Sequence, residues 1–418
     1  MCRCRPSIRK TSISIKNKAL ILVACLATLP GLYARLAHSA LPPLGATMIS
    51  GLAIMSASFL LVWACDAAQA DVSQSLALAV VALMAVLPEY AVDMYFTWQA
   101  GKFPESNYAS YAVANMTGAN RLIIGVAWLL IAFIIWLRTR QPIHIESERR
   151  LEIVFLFFAT LYALAIPIKG TLAWYDMLVF LGIYGAYMFM ANRRPPQEME
   201  CEGPALLLVR LPKGPRRLAT ALLFLFAGGA ILANAGPFCE GLVATGRVFH
   251  INEFFLVQWL GPIASEAPEF VVAIMFAWRG QGSLALGSLL SSKLNQWTLL
   301  VGMMPGCYAI AHGSLDHPLP LGPSQIQEIL LTAAQSLLAV FMIAHLRLSV
   351  RHAAALFVLF FGQLVSPMVV NLWAGNAGPG LRGSLMHPIF TLLYLTASVG
   401  LFVQHPRRLF NLVKGLRE

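Results

Sequence analysis

Charge is what this sequence lacks. Only 12% of its 418 residues are Asp, Glu, Lys or Arg, while 58% are hydrophobic. Soluble domains carry about a quarter charged residues. That shortage excludes an ordinary water-soluble globule, and a mean hydropathy of +0.69 indicates a polytopic membrane protein. Cysteine is sparse as well: the seven (2, 4, 25, 65, 201, 239 and 307) form no Cys-x-x-Cys pair. This excludes a disulfide framework and a structural zinc site. The Cys2-x-Cys4 doublet in a basic tail fits palmitoylation at most. The histidines from His144 to His405 fall at loops or helix ends without metal-ligand spacing. Gly-rich phosphate loops and nucleophile–histidine constellations are missing too, which argues against ATP-driven transport and against an enzyme, an intramembrane one included. No cofactor is expected.

The charge that remains is lopsided, 30 Lys/Arg against 19 Asp/Glu. In a soluble protein this would point to nucleic acid; here topology accounts for it. Apolar windows of about 20 residues fall near 19–37, 48–70, 73–100, 108–137, 151–168, 171–191, 217–246, 252–278, 283–311, 325–346, 350–373 and 384–404. With the N-terminus inside, 23 of the 30 basic residues lie in inside segments, five lie in outside loops, and Arg121 and Lys293 fall within spans. This is the bias that orients membrane proteins, so nucleic acid is dropped as a partner. Six basic residues precede Ala19, and no small-x-small cleavage site follows, so the first helix is read as retained rather than as a signal peptide. A bacterial inner membrane is expected, with both termini cytoplasmic and the lipid bilayer as a partner. Trp98, Trp128, Trp136 and Trp278 are read as interfacial anchors. Asn115-Met116-Thr117 matches a glycosylation sequon but falls inside a span.

One stretch occurs twice. Leu87 begins LPEYAVDMYFTWQAG and Ala267 begins APEFVVAIMFAWRGQ, 180 residues on. Five spans separate the copies, so they enter the membrane from opposite sides, as in the inverted repeats of secondary transporters. Pro88 and Pro268 break or kink their helices and free backbone carbonyls. A membrane tolerates bare carbonyls only where they line a cavity or bind something. Glu89 and Glu269 sit at these breaks, and an ionisable residue in hydrocarbon marks an ion or proton pathway. Carboxylates with carbonyls are hard oxygen ligands, suited to Na⁺, Ca²⁺ or H⁺. Asp93 lies one turn after Glu89, and Glu266 lies one turn before Glu269. Asp93 and Glu266 are therefore candidate cation-site residues beside Glu89 and Glu269; the plainer readings are that Asp93 pairs with Arg121, itself read as a structural ion-pair residue, and that Glu266 neutralises Lys293.

Around these residues the sequence resembles the calcium/cation antiporter superfamily, best known for sodium/calcium exchangers. Its repeat, roughly G-T-S-(L/A)-P-E followed at the next helix by G-N-x-x-G-S-N, is matched by Ala264–Glu269 with Gly287–Lys293, and by Met84–Glu89 with Ala114–Asn120. The first copy carries about seven extra residues near Lys102–Tyr108. The resemblance implies an all-α polytopic fold of two inverted five-helix repeats with one added helix at each end, about 12 spans. The expected parts are a basic tail with the extra first helix (1–47), the first repeat (48–191), a cytoplasmic linker (192–216), the second repeat (217–373), and the extra last helix with a basic tail (374–418). It implies antiport of Ca²⁺ against Na⁺ or H⁺ by alternating access, through a site near the bilayer midplane. Glu89 and Glu269 would be the central ligands. Asn115 and Asn120 occupy amide positions, Ser265 stands where the family has threonine, and Ser288 and Ser292 offer hydroxyls. Two departures matter: Ala85 and Val86 remove side-chain oxygens, and Lys293 replaces a sodium-liganding Asn or Asp. A fixed ammonium there, paired with a central carboxylate, would take the place of one bound cation, which tilts the reading toward proton coupling or altered stoichiometry. Two alternatives stand beside it: a Na⁺/H⁺ or other monovalent cation/proton antiporter, and a non-transporting membrane scaffold or receptor that kept the fold.

Overall fold

The structure, a computed structural model, describes residues 15–71, 86–193, 203–373, 386–407 and 413. Cys2 and Cys4 lie outside them, as do Met84, Ala85 and most of the 73–100 span ahead of Val86. The chain is a succession of helices: α1 (Ile15–Leu36), α2 (Pro43–Ala68), α3 (Leu87–Lys102), α4 (Tyr108–Leu122), α5 (Trp128–Thr139), α6 (Arg150–Ala163), the short α7 (Ile166–Lys169) and α8 (Trp174–Ala191). After the short α9 (Ala205–Val209) come α10 (Lys213–Phe249), α11 (Glu253–Trp278), α12 (Gly282–Asn295), α13 (Val301–His312), α14 (Pro323–Ile343), α15 (Val350–Trp373) and α16 (Met386–Gln404). Single π-helical turns, Ile123–Ala127 and Gln296–Leu300, join α4 to α5 and α12 to α13. Ten described helices are long and apolar enough to cross a membrane. The two remaining expected spans differ for stated reasons. α3 has 16 described residues, and the run from Gly282 to His312 is diluted by Ser, Lys, Asn and Gln. The expected linker 192–216 contains α9, and α10 starts at Lys213 rather than 217.

The helices divide between two compact units, residues 1–95 with 188–268 and residues 96–187 with 269–418. In the first, α1, α2 and α10 share a core of Ala57, Leu60, Leu61, Ala227, Ala230 and Ile231. Lipid tails are as apolar as leucine, so membrane helices associate through close packing of small residues. Gly51 shows this: a Cβ there would lie 2.9 Å from the Phe238 ring. Thr47 and Thr245 add a hydrogen bond of 3.2 Å between α2 and α10. At the end of α2, Asp71 receives Arg216 Nε at 2.6 Å and Nη2 at 2.8 Å.

The second unit holds the later part of each repeat. The π turns occupy matching places, since Ile123 and Gln296 are 173 residues apart, which is the 180-residue offset less the seven-residue insertion. Two short antiparallel ladders pair loops of one repeat with loops of the other: Ile143–His144 with Arg347–Leu348, and Thr171–Leu172 with Leu319–Pro320. Trp128 is fully buried and belongs to this unit's core, which corrects its reading as an interfacial anchor. Trp98 and Trp278 are exposed and attract cations as membrane-surface tryptophans do, Lys102 at 5.6 Å and Arg138 at 6.0 Å from their ring centres.

Candidate functional site

In the first unit, Pro88 is the second residue of α3 and Glu89 the third. The carbonyl that the missing N–H of Pro88 would meet belongs to Met84, which lies outside the described residues, as does the chain just ahead of Val86. Glu89 and Asp93 are 3% and 0% exposed. On the same helix, Tyr95 donates its hydroxyl proton to Glu240 Oε1 of α10 at 2.9 Å. Gly236 of α10 makes room for that ring, since a Cβ there would lie 3.0 Å from it. Glu240 is an intramembrane acid that the sequence reading missed; its place inside the 217–246 span was the available signal.

α11 runs unbroken through Pro262 and Pro268. Each proline lacks the N–H that would bond to the carbonyl four residues back, so the carbonyls of Gln258 and Ala264 lose their helical donors. Ser265 and Glu266, 1% and 2% exposed, stand beside Ala264. The Ser265 hydroxyl proton is taken by Gly261 O and Pro262 O, both at 3.4 Å.

The second unit begins, on this helix, at Glu269. The residue is half-buried, and among the described residues its enclosed Oε2 accepts no hydrogen bond. On α4, Asn115, Thr117 and Asn120 are fully buried. Asn120 donates its amide to Met116 O at 2.9 Å, which fixes the orientation of the side chain. Its two oxygens then accept from one group: Lys293 Nζ lies 2.7 Å from Asn120 Oδ1 and 2.8 Å from Asn120 O. A π turn starts three residues later, at Ile123, and such turns recur at functional positions. Lys293 is 0% exposed, and Nζ stands 5.3 Å from the Trp297 ring centre. Trp297 in turn donates to Ser336 Oγ at 2.7 Å.

Asn120 and Lys293 are the corresponding last residues of the two motif copies. The structure thus joins the equivalent positions of the two repeats by direct hydrogen bonds. Ser288, the counterpart of Asn115, donates to Ala285 O at 3.0 Å and is half-buried, while Ser292 is buried. Arg121 is 1% exposed and forms an ion pair with Glu328 of α14. Glu328 is a second acid that the sequence reading passed over, although it too lies within an apolar span.

Comparisons with known proteins converge on one family. The model of the sodium/calcium exchanger protein family matches residues 43–192 and again 219–369, one match for each repeat. A solved structure described as an H⁺/Ca²⁺ exchanger, CAX, is 41% identical over 96% of this chain and 98% of its own, with a TM-score of 0.89. YfkE is 14% identical with a TM-score of 0.60, over 91% of this chain and 99% of its own. The sodium-calcium exchanger NCX_Mj is 17% identical with a TM-score of 0.51, over 78% and 98%. These last two show a shared fold. No curated protein matches the sequence. With repeated Pro-Glu helices, two matching π turns and a family match covering both halves, the chain belongs to the sodium/calcium exchanger family of membrane cation exchangers.

Proposed function

We propose that the protein exchanges Ca²⁺ for H⁺ across the membrane, with Glu89 and Glu269 as the carboxylates that hold either the calcium ion or protons. The observation that carries this reading is Lys293. It stands where the family resemblance places a sodium ligand, and its ammonium already engages both oxygens of Asn120. A position filled by a fixed cation does not receive sodium. The 41% identity to a protein described as an H⁺/Ca²⁺ exchanger supports the same choice.

Charge balance fits. Glu89, Asp93, Glu266 and Glu269 bring four negative charges if all are ionised, and Lys293 brings one positive charge. Arg121 adds nothing net, because Glu328 pairs with it. One calcium ion and two carboxyl protons then leave the same residual charge. Asn115, Ser265, Ser288 and Ser292 would complete the oxygen ligands as neutral donors, a mixture suited to calcium, while Asn120, expected among them, holds Lys293 instead. Alternating access and a site near the midplane belong to this proposal, as do cytoplasmic termini and a bacterial inner membrane.

Calorimetric titration of detergent-purified protein with Ca²⁺, in buffers of different ionisation enthalpy, tests the reading. Calcium binding should release protons, and Glu89→Gln and Glu269→Gln should each weaken binding by at least ~10-fold. Binding without proton release, with sodium displacing calcium competitively, would instead establish a sodium-coupled exchanger.

A further inference from the structure

Glu328 has two oxygens with two different neighbours. Oε2 takes Arg121 Nη2 from α4, and Oε1 lies 3.6 Å from His387 Nε2 of α16. Arg121 and Glu328 are sealed, with side chains 2% and 3% exposed, but the His387 ring is 24% exposed. His387 is the second residue of α16, where the chain enters that helix. One member of a buried charge cluster thus reaches outward. At 3.6 Å a neutral imidazole is a neighbour of the carboxylate and not a hydrogen-bond partner. A proton on the ring makes it a cation, and attraction then draws it onto Oε1. The carboxylate is shared between two cations, and its hold on Arg121 weakens.

That hold matters because of where Arg121 sits. It follows Asn120 directly, in the last turn of α4, and Asn120 is the residue that receives Lys293. α14 provides a second connection along one face, where Gln325, Glu328, Thr332 and Ser336 recur at helical spacing. Gln325 donates to Ser110 of α4 at 2.7 Å, Thr332 donates to Glu328 O at 2.6 Å, and Ser336 receives Trp297, whose ring faces Lys293. The charged groups acting on His387 from neighbouring helices are Glu328 of α14 and Arg121 of α4. Tyr394, buried on α16 itself, lies within electrostatic reach of Arg121. α15, which also packs on α16, carries its charged residues, Arg351 and His352, in its first turn.

We propose that His387 and Glu328 form a proton-binding site separate from Glu89 and Glu269, through which acidity at one membrane face loosens Arg121 and alters transport. The proton site stands on the geometry alone; its effect on transport rests on the proposed exchange. The test uses the full-length protein, with His387→Gln as the uncharged variant and His387→Lys as a fixed cation. Melting temperature in detergent is followed from pH 5 to 8, around the ordinary histidine pKa of about 6.5. The difference between wild type and His387→Gln should step across this window, and His387→Lys should show no step. In liposomes the same step should appear in the pH profile of calcium uptake for wild type alone, with His387→Lys holding the acid behaviour throughout. Parallel melting profiles for wild type and both variants would overturn the proton site. A melting step with superimposable uptake profiles would overturn its link to transport. If wild type carries no calcium, the exchange reading fails, and the melting profiles alone decide the proton site.

Discussion

In the proposed exchange, Lys293 is the residue that decides what the site accepts. A buried lysine is costly unless its charge is met by oxygens, and Asn120 meets it twice from a neighbouring helix. Replacing it with asparagine should open the position to a mobile cation. Lys293→Asn is therefore expected to move an additional positive charge per cycle, so that uptake becomes sensitive to an imposed membrane potential; unchanged electrogenicity would count against the role given to Lys293. Arg121 and Glu328 make the complementary case. Removing one partner of a buried ion pair typically costs about 3–5 kcal/mol, because the other charge is left uncompensated, whereas replacing both with apolar residues is often close to neutral. Glu328→Leu should thus destabilise the protein by about 3–5 kcal/mol, and the double variant Arg121→Leu/Glu328→Leu should recover most of that loss in denaturation measurements. The sequence flagged Lys293 and Arg121 because each is a lone charge in an apolar span. The same rule applied to Glu240 and Glu328, but neither lies in a repeated motif, and only the tertiary arrangement shows their partners.

At the scale of elements, periodicity and apolar runs located most of the spans, and the Pro-Glu doublets located the repeats. Neither π turn was legible, because a shift from four- to five-residue bonding leaves no mark in composition. Helix contacts that depend on the absence of a side chain were equally hidden. Gly101 at the end of α3 abuts α13, where a Cβ would lie 2.7 Å from Tyr308 O and 2.6 Å from the Ala311 side chain. The backbone oxygen cannot rotate away, so Gly101→Ala should cost about 1–3 kcal/mol, as overpacking does, and lower the melting temperature. Trp128 was misjudged from sequence for a related reason: tryptophan suits both the interface and a core, and its burial depends on helices far along the chain, α12 and α15, that pack on α5. Asp71 gives an element-scale test of pH. Its hydrogen bonds and charge attraction to Arg216 hold its carboxyl below the usual aspartate value. A depressed carboxylate contributes stability that is present above its unfolded pKa of about 3.9 and is lost as pH falls through the lower folded value. Asp71→Asn should remove this small dependence, so the melting curves of variant and wild type should converge in acid.

For the whole molecule, the repeat is the organising fact. Two copies of a helix carrying a Pro-Glu doublet are each followed by a helix with a π turn, and corresponding positions, Asn120 and Lys293, bond to one another. The inverted arrangement, the family and the repeated carboxylates were all legible in the sequence, because the Pro-Glu doublet and the aromatic residues after it recur at one 180-residue offset. The coupling ion was not, because no motif in the sequence separates Na⁺ from H⁺ coupling; in the proposed exchange it turns on the Lys293 ammonium. The most direct measurement is ⁴⁵Ca²⁺ uptake into liposomes containing the purified protein, under a pH gradient or a Na⁺ gradient imposed separately. The account predicts uptake driven by the pH gradient and lost in both Glu89→Gln and Glu269→Gln. Correctly folded protein that takes up no calcium under either gradient, or uptake that survives both substitutions, would contradict it.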